Sequence, residues 1–426
     1  MLTVFLLSLF GFIFINIPIA FSLVLTTVVL MLFMGDFSAL TISQSTLRGI
    51  DNFPLMAIPF FMLAGEIMNV GGMSKRIVQF ANVLVGHVVG GLGYVTVVAS
   101  MIFAGVSGSA VADTSAIGSI LLPIMDKQGY NKAKSAALVA AAGCIGPIIP
   151  PSIPMIILGV IGGISIVKLF LGGIIPGILI GFGLMFMWYF HAKKEKYVAG
   201  KRADLPAFKA AFKEASWALM LPVIILGGIL TGVYTPTEAA VVAVVYALLV
   251  GKYVYREFKW SQLHGVLIQA TKATSIVLLV CGAATAAGYL ITVGQVPELL
   301  SGTLLYLAGG NPIMIMFWVN ILLLLVGCVM DLTPALLILA PILLPIAAQF
   351  GFDPVYFGVV MVVNLCIGLI TPPVGTVLYV ACGLSKLSMG DITKPILGFI
   401  SIMIAVLFLI TYVPWTITFI PNLFAK

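Results

Sequence analysis

Many stretches of this chain run for about 17–25 residues with almost no charge, the length a helix needs to cross about 30 Å of hydrocarbon. They extend from the opening MLTVFLLSLFGFIFINIPIAF to the closing LGFISIMIAVLFLITYVP (397–414). Charged residues make up 8% of the chain and hydrophobic residues 62%, with a mean hydropathy of +1.22. Soluble domains carry about 25% charged residues, so a soluble fold is excluded. Lipid leaves helices or closed barrels as spanning structures, because backbone polar groups must be satisfied without water. Barrel strands are short alternating segments, whereas these runs are long and uniform. The expected fold is an all-α polytopic membrane protein.

The opening segment lacks the basic start and small-residue cleavage site of a secretory signal, and reads as a retained helix. Cys144, Cys281, Cys328, Cys366 and Cys382 lie in apolar stretches without metal-ligand spacing, as small packing residues do. The net charge of +7 matters through its distribution. Residues 193–214 hold seven basic residues against three acids, which makes this connection cytoplasmic by the positive-inside rule. Walking outward from it, with reversals at turn signals, places both termini and Asp36 to Asp51 outside. Lys75, Arg76, Lys127 to Lys134, Lys252, Arg256, Lys259 and Lys272 fall inside. Of the 21 Lys and Arg, only Arg48, Lys168 and Lys426 fall outside. The charge marks orientation in the bilayer, and no nucleic-acid partner is expected. Two stretches, 74–91 and 260–272, mix apolar and polar residues at helical spacing, as helices lying along the cytoplasmic interface do. They carry His87 and His264.

Shifting the chain by 222 residues lays GSILLPIMDKQGY (118–130) over APILLPIAAQFGF (340–352). In the same register CIGPIIPPS (144–152) falls on CIGLITPPV (366–374), and Gly105 falls on Gly327. The chain therefore divides into a first repeat (1–192), a cytoplasmic basic connection (193–216) and a second repeat (217–426). The charge walk starts the repeats on opposite sides, and inverted repeats of this kind are a signature of secondary transporters. Each contains a broken helix, expected over 131–169 and 354–387. Pro150 removes the N–H that would bond the Gly146 carbonyl, and Pro372 does the same at Gly368. Free carbonyls persist at membrane depth where they face a cavity or a cation, and oxygen ligands suit Na⁺.

Before each broken helix lies a segment long enough for two half-length helices, 92–125 and 312–348. Each is interrupted by small or polar residues, AGVSGSAVADTS (104–115) and VGCVMDLTP (326–334). Both read as re-entrant hairpins whose tips meet the broken helices near the midplane, where half-helix N-termini favour an anion. Asp331, beside Thr333 at the second tip, reads as a substrate or ion contact, since intramembrane carboxylates are usually functional. Asp113, a turn past the first tip, either joins the site or ties down the hairpin. Glu66 and Glu238, near span ends, read as interfacial or capping residues.

These features together resemble the large membrane subunit of tripartite ATP-independent periplasmic (TRAP) transporters, over essentially the whole chain. The most specific pieces are FPLMAIPFFMLAGEIMNVGG (53–72), FAGVSGSAVADTSAIGSILLPIM (103–125), GPIIPPS (146–152) and LITPPVGTVLYVACG (369–383). The resemblance implies Na⁺-coupled uptake of an organic acid across a bacterial inner membrane by an elevator movement, with Na⁺ the coupling ion and no cofactor. It also implies a small membrane subunit and a periplasmic binding protein that delivers substrate. By position, one Na⁺ site would use Gly105, Ser107, Gly146, Ile149 and Pro151. The repeat-related site would use Gly327, Gly368, Thr371 and Pro373. Substrate would sit near Ser107, Ser109, Ser152 and Asp331, and Val374 in place of Ser152 makes the two repeats unequal there. Substrates in the family include C4-dicarboxylates, sialic acids and sugar acids. An Asp331 that accepts bonds from hydroxyls tilts the choice towards a polyhydroxylated acid such as sialic acid.

A stand-alone ion-coupled carboxylate carrier, working without a binding protein, is the nearest alternative. GVSG (105–108) also fits the G-x-S-G of intramembrane serine proteases, but such a serine needs a general base within reach. His87, His191 and His264 all lie in interfacial or cytoplasmic flanks, so no enzyme is expected. No G-x-x-x-x-G-K-[ST] motif is present to couple transport to ATP.

Overall fold

The computed structural model describes residues 1–35, 37–200 and 202–424. Asp36, Lys201 and Lys426, which entered the charge walk, lie outside the described residues. The first half contributes α1 (Leu2–Phe14), α2 (Ile19–Met34), α3 (Ala39–Ile50), α4 (Ala57–Val70) and α5 (Met73–Val85). It continues with α6 (Gly91–Ser107), α7 (Ala110–Lys127), α8 (Lys132–Gly143), α9 (Ile153–Gly162) and α10 (Ile166–Lys194). The second half contributes α11 (Leu205–Leu230), α12 (Pro236–Leu249), α13 (Trp260–Val293), α14 (Val296–Ala308) and α15 (Pro312–Gly327). It ends with α16 (Leu332–Gln349), α17 (Pro354–Gly368), α18 (Thr376–Ser385), α19 (Met389–Tyr412) and α20 (Trp415–Leu423). Among the described residues there is no strand, and seven helices are long and apolar enough to span a membrane. The fold is all-α and polytopic.

The 222-residue offset extends to the helix ends. α7 and α16 run over 110–127 and 332–349, and α8 and α17 start at 132 and 354. The turns that set those starts repeat too. Gly129 (φ +77°) and Gly351 (φ +73°) reverse the chain in the left-handed region that favours glycine. Asn131 then caps α8 by accepting from the Lys134 amide at 3.0 Å. Asp353 caps α17 by accepting from Tyr356 at 2.8 Å.

Two expected segments differ in the structure. The basic connection is shorter than 193–216, because α11 already begins at Leu205. Asp204 caps it at 2.9 Å, and AFKAAFKEA is strongly helix-forming. The stretch 260–272 is no separate interfacial helix. It runs unbroken into the 34-residue α13, with no proline or cap between them to end it. The counterpart of α5 (73–85) is instead α14 (296–308), which meets α15 at a bend of 118°. In the first repeat the equivalent of α13 is split into α3 and α4, with Pro54 at the break.

Hairpin α6–α7 packs on α8 of its own repeat and α7 on α18 of the other; α16 packs likewise on α17 and α9. The two repeats thus interlock around the broken helices. Buried Asn364 donates to the Asn320 carbonyl at 3.0 Å and side chain at 2.8 Å, and Asn320 donates to Thr411 at 3.1 Å. These bonds tie α15, α17 and α19 together in a setting where water offers no alternative partners. α13 packs against α2, α3 and α4 and also against α16, so it joins the hairpin core to the surrounding helices.

Candidate functional site

The first tip is built by one glycine and two serines. α6 ends at Ser107, Gly108 turns the chain at φ +60°, and Ser109 starts α7 by accepting from Ala112 at 3.4 Å. Ser107 Oγ accepts from the Ser109 amide at 3.2 Å and donates to Asp113 Oδ1. A Cβ at Gly108 would stand 2.7 Å from the Pro151 carbonyl, so the tip abuts the proline break directly. Only glycine allows both that approach and the positive φ.

Across the break, α8 tightens before it stops. Gly146 donates to Gly143 O at 3.0 Å, a three-residue spacing, and no backbone N–H of the described residues donates to the Gly146 carbonyl. Asp113 is fully buried, and a Cβ at Gly146 would collide with its Oδ2. That oxygen has no hydrogen-bond partner among the described residues. Asp113 therefore both ties Ser107 and stands against the Gly146 backbone. The i, i+6 spacing of Ser107 and Asp113 across a glycine turn is the sequence signal for this pairing.

The second tip differs. Asp331 occupies the position of Ser109 but does not cap α16 with its side chain. It accepts instead from Thr376 Oγ1 at 2.9 Å, at the start of α18. Gly327 and Gly368 meet backbone to backbone, a Cβ on Gly368 standing 2.5 Å from Gly327 Cα. The Gly368 carbonyl is not free as the sequence suggests: the Thr371 amide donates to it at 3.0 Å. Proline at 372 removes one donor, and the turn tightens enough for Thr371 to replace it. Thr371 Oγ1 donates to Ile367 O at 2.7 Å.

A cavity of about 120 Å³ lies where the tips converge, lined by Gly108, Ser109, Pro147, Asp331, Thr333 and Leu369, with Met62 and Val277 opposite. Ser109 and Asp331 are thus brought together. Ser152 is not exposed there: it is buried, donates to Pro147 O at 2.5 Å and caps α9 through Met155 at 3.3 Å. Ile149 turns its side chain onto Gly177 of α10, so only its backbone can serve an ion. A second cavity of about 310 Å³ reaches Ser107 and Ser109 from the other side and is lined by Glu66, Asn69 and Gln269. Glu66, read from sequence as an interfacial or capping residue, faces this cavity. Glu238 does cap, in a reciprocal pair with Thr235 at 2.7 and 3.3 Å.

The family model of the tripartite ATP-independent periplasmic transporter DctM component matches residues 6–416. The chain is 44% identical to the 2,3-diketo-L-gulonate TRAP transporter large permease protein YiaN of Escherichia coli, over 96% of each chain. It is 42% identical to the isethionate TRAP transporter permease protein DctMQ of Oleidesulfovibrio alaskensis, covering 95% of this chain and 64% of that protein. It is 38% identical to the sialic acid TRAP transporter large permease protein SiaM of Vibrio cholerae, over 97% of each. Among solved structures, the Alcanivorax borkumensis YdaH transporter superposes with a TM-score of 0.61 at 14% identity, covering 88% of this chain and 87% of that one. That likeness concerns the fold alone. The relatives are transporter permeases and not enzymes, in keeping with a Ser107 hydroxyl bonded to a carboxylate and not to a histidine. By both family model and relatives, this chain belongs to the DctM-component family, the large membrane permeases of TRAP transporters.

Proposed function

We propose that this chain is the membrane permease of a Na⁺-coupled importer of a small organic acid in a bacterial inner membrane, working by an elevator movement. Three relatives are named for a diketogulonate, a sulfonate and a sialic acid, all small organic anions. The single observation that carries Na⁺ coupling is Asp113. A buried carboxylate oxygen with no donor among the described residues calls for a cation, and it stands beside the Gly146 backbone, whose carbonyl is a hard-cation ligand. Gly105, Ser107, Gly146, Ile149 and Pro151 would complete that site. Gly327, Gly368, Thr371 and Pro373 would hold a second ion, with Gly368 sharing its carbonyl between the Thr371 amide and the ion.

Substrate would lie between the tips, with Ser109 donating to its acid group and Asp331 accepting from a hydroxyl. Ser107 would act mainly through Asp113, and Ser152 by holding the Pro147 turn in place. A small membrane subunit and a periplasmic binding protein would complete the transporter; the greater length of the DctMQ relative leaves room for such a subunit in one chain. Both termini would lie in the periplasm. The test is Asp113→Asn, made with the small subunit and reconstituted. The Na⁺ concentration for half-maximal uptake should rise at least about tenfold, equivalent to about 1.4 kcal/mol of ion binding. An unchanged Na⁺ dependence would remove the ion from this carboxylate.

A further inference from the structure

Three of the cavities that touch α13 mark successive positions along it. The cavity beside Glu66 touches Gln269, Ala270 and Ala273, and the tip cavity touches Val277. A third, of about 450 Å³, is lined by Cys281, Ala284, Thr285, Gly288, Tyr289 and Thr292 of the same helix. From Gln269 to Thr292 the helix rises about 35 Å, roughly a membrane thickness. The third cavity is at the end that the charge walk places outside. It is walled by α3 on one side and by Ile157 and Val160 of α9 and Leu337 of α16 on the other.

Its chemistry is that of an anion site. Arg48 lines it, and among the described residues Arg48 forms no ion pair. Among the described residues no acidic side chain lines it, and Asn52 and Tyr289 add side-chain donors. Arg48 is also one of the few cations on the outer side, against the orientation bias of the rest of the chain. The backbone of α3 that carries the exposed Arg48 is held by close packing on α13: a Cβ at Gly49 would strike Thr285, and one at Gly282 would stand 2.8 Å from Thr46 O. α3 therefore cannot draw away from α13 without opening that contact. The volume falls in the range of about 300–1,000 Å³ typical of small-ligand sites, and the tip cavity falls below it.

We infer that this outer cavity is an entry site for a carboxylate or sulfonate anion, held by Arg48 with Asn52 and Tyr289 before it reaches the tips. The inference rests on the function proposed above and adds a second, earlier binding position for the same class of substrate. Arg48 would act on capture, since field-focusing cations in clefts raise the local concentration of anions.

The test reads the charge of the cavity without relying on transport. Thr292→Cys is introduced into a chain whose five native cysteines are replaced, expressed with its small subunit, and labelled from the outer side. An anionic sulfonatoethyl methanethiosulfonate should react about tenfold faster than its cationic trimethylammonioethyl counterpart. Arg48→Gln should abolish that preference and Arg48→Lys should keep it. Excess succinate, isethionate or N-acetylneuraminate should slow labelling by the anionic reagent. A preference unchanged in Arg48→Gln, or no protection by any of the three anions, overturns the site; an Arg48 engaged only with lipid headgroups gives that result. If labelling follows the prediction while Na⁺-driven uptake fails in the same protein, the entry site stands and the transport reading falls.

Discussion

Asp113 and Asp331 are both acids at hairpin tips, yet they hold different positions in the repeat. Asp113 faces inward, to Ser107 and the Gly146 backbone, whereas Asp331 accepts from Thr376 and lines the space between the tips. The sequence left Asp113 either in the site or tying down the hairpin; its bond with Ser107 ties the tip, and its contact with the Gly146 backbone supports the ion role proposed for it. Asp331→Ala should abolish uptake while the protein still assembles with the small subunit, measured by co-purification and transport. Wild-type rates in that variant would remove Asp331 from the site. Thr371→Val should raise the Na⁺ concentration for half-maximal uptake by a factor of about 3–10 while leaving substrate affinity at saturating Na⁺ unchanged. An unaltered Na⁺ dependence would argue against an ion there.

At the scale of elements, the prolines act as the sequence suggests, but not equally. Pro150 leaves the Gly146 carbonyl without an N–H donor, while the second turn closes on itself through Thr371. The hairpins and broken helices were legible because the repeat aligns their punctuation: Gly129 with Gly351, Asn131 with Asp353, and the paired Pro-Pro breaks. The second arm helix was not. The mixed composition of 260–272 resembles an interfacial helix, but nothing within it stops α13; the 222-residue offset instead lays α5 on 295–307, where α14 lies. The Gly327–Gly368 crossing is equally hidden in sequence, since a glycine's neighbour is a tertiary fact. Gly368→Ala should cost about 1–3 kcal/mol through overpacking and lower the melting temperature in detergent. Gly327→Ala, whose Cβ would stand 3.1 Å from Gly368 Cα, should cost less. Equal losses would mean that the crossing can relax.

For the whole molecule, the hairpins and broken helices of the two repeats interlock, and α13 packs on α16 with cavities along its length. Substrate chemistry was the least legible part of the sequence, because Ser152, a promising polar residue in the proline cluster, is used up as a cap. Glu66, inside the 53–72 motif, and Arg48, one of the few outside cations, each line a cavity that no spacing in the sequence discloses. The central claim is that a Na⁺ gradient drives organic-acid uptake from a binding protein through this permease. Its most direct test is uptake into proteoliposomes holding the chain and its small subunit. Radiolabelled succinate, gluconate or N-acetylneuraminate would be supplied with and without the periplasmic binding protein, under an inward Na⁺ or K⁺ gradient. Accumulation of one of these acids only with both Na⁺ and the binding protein is the predicted result; equal uptake in K⁺, or full uptake of the free acid without the binding protein, would contradict it.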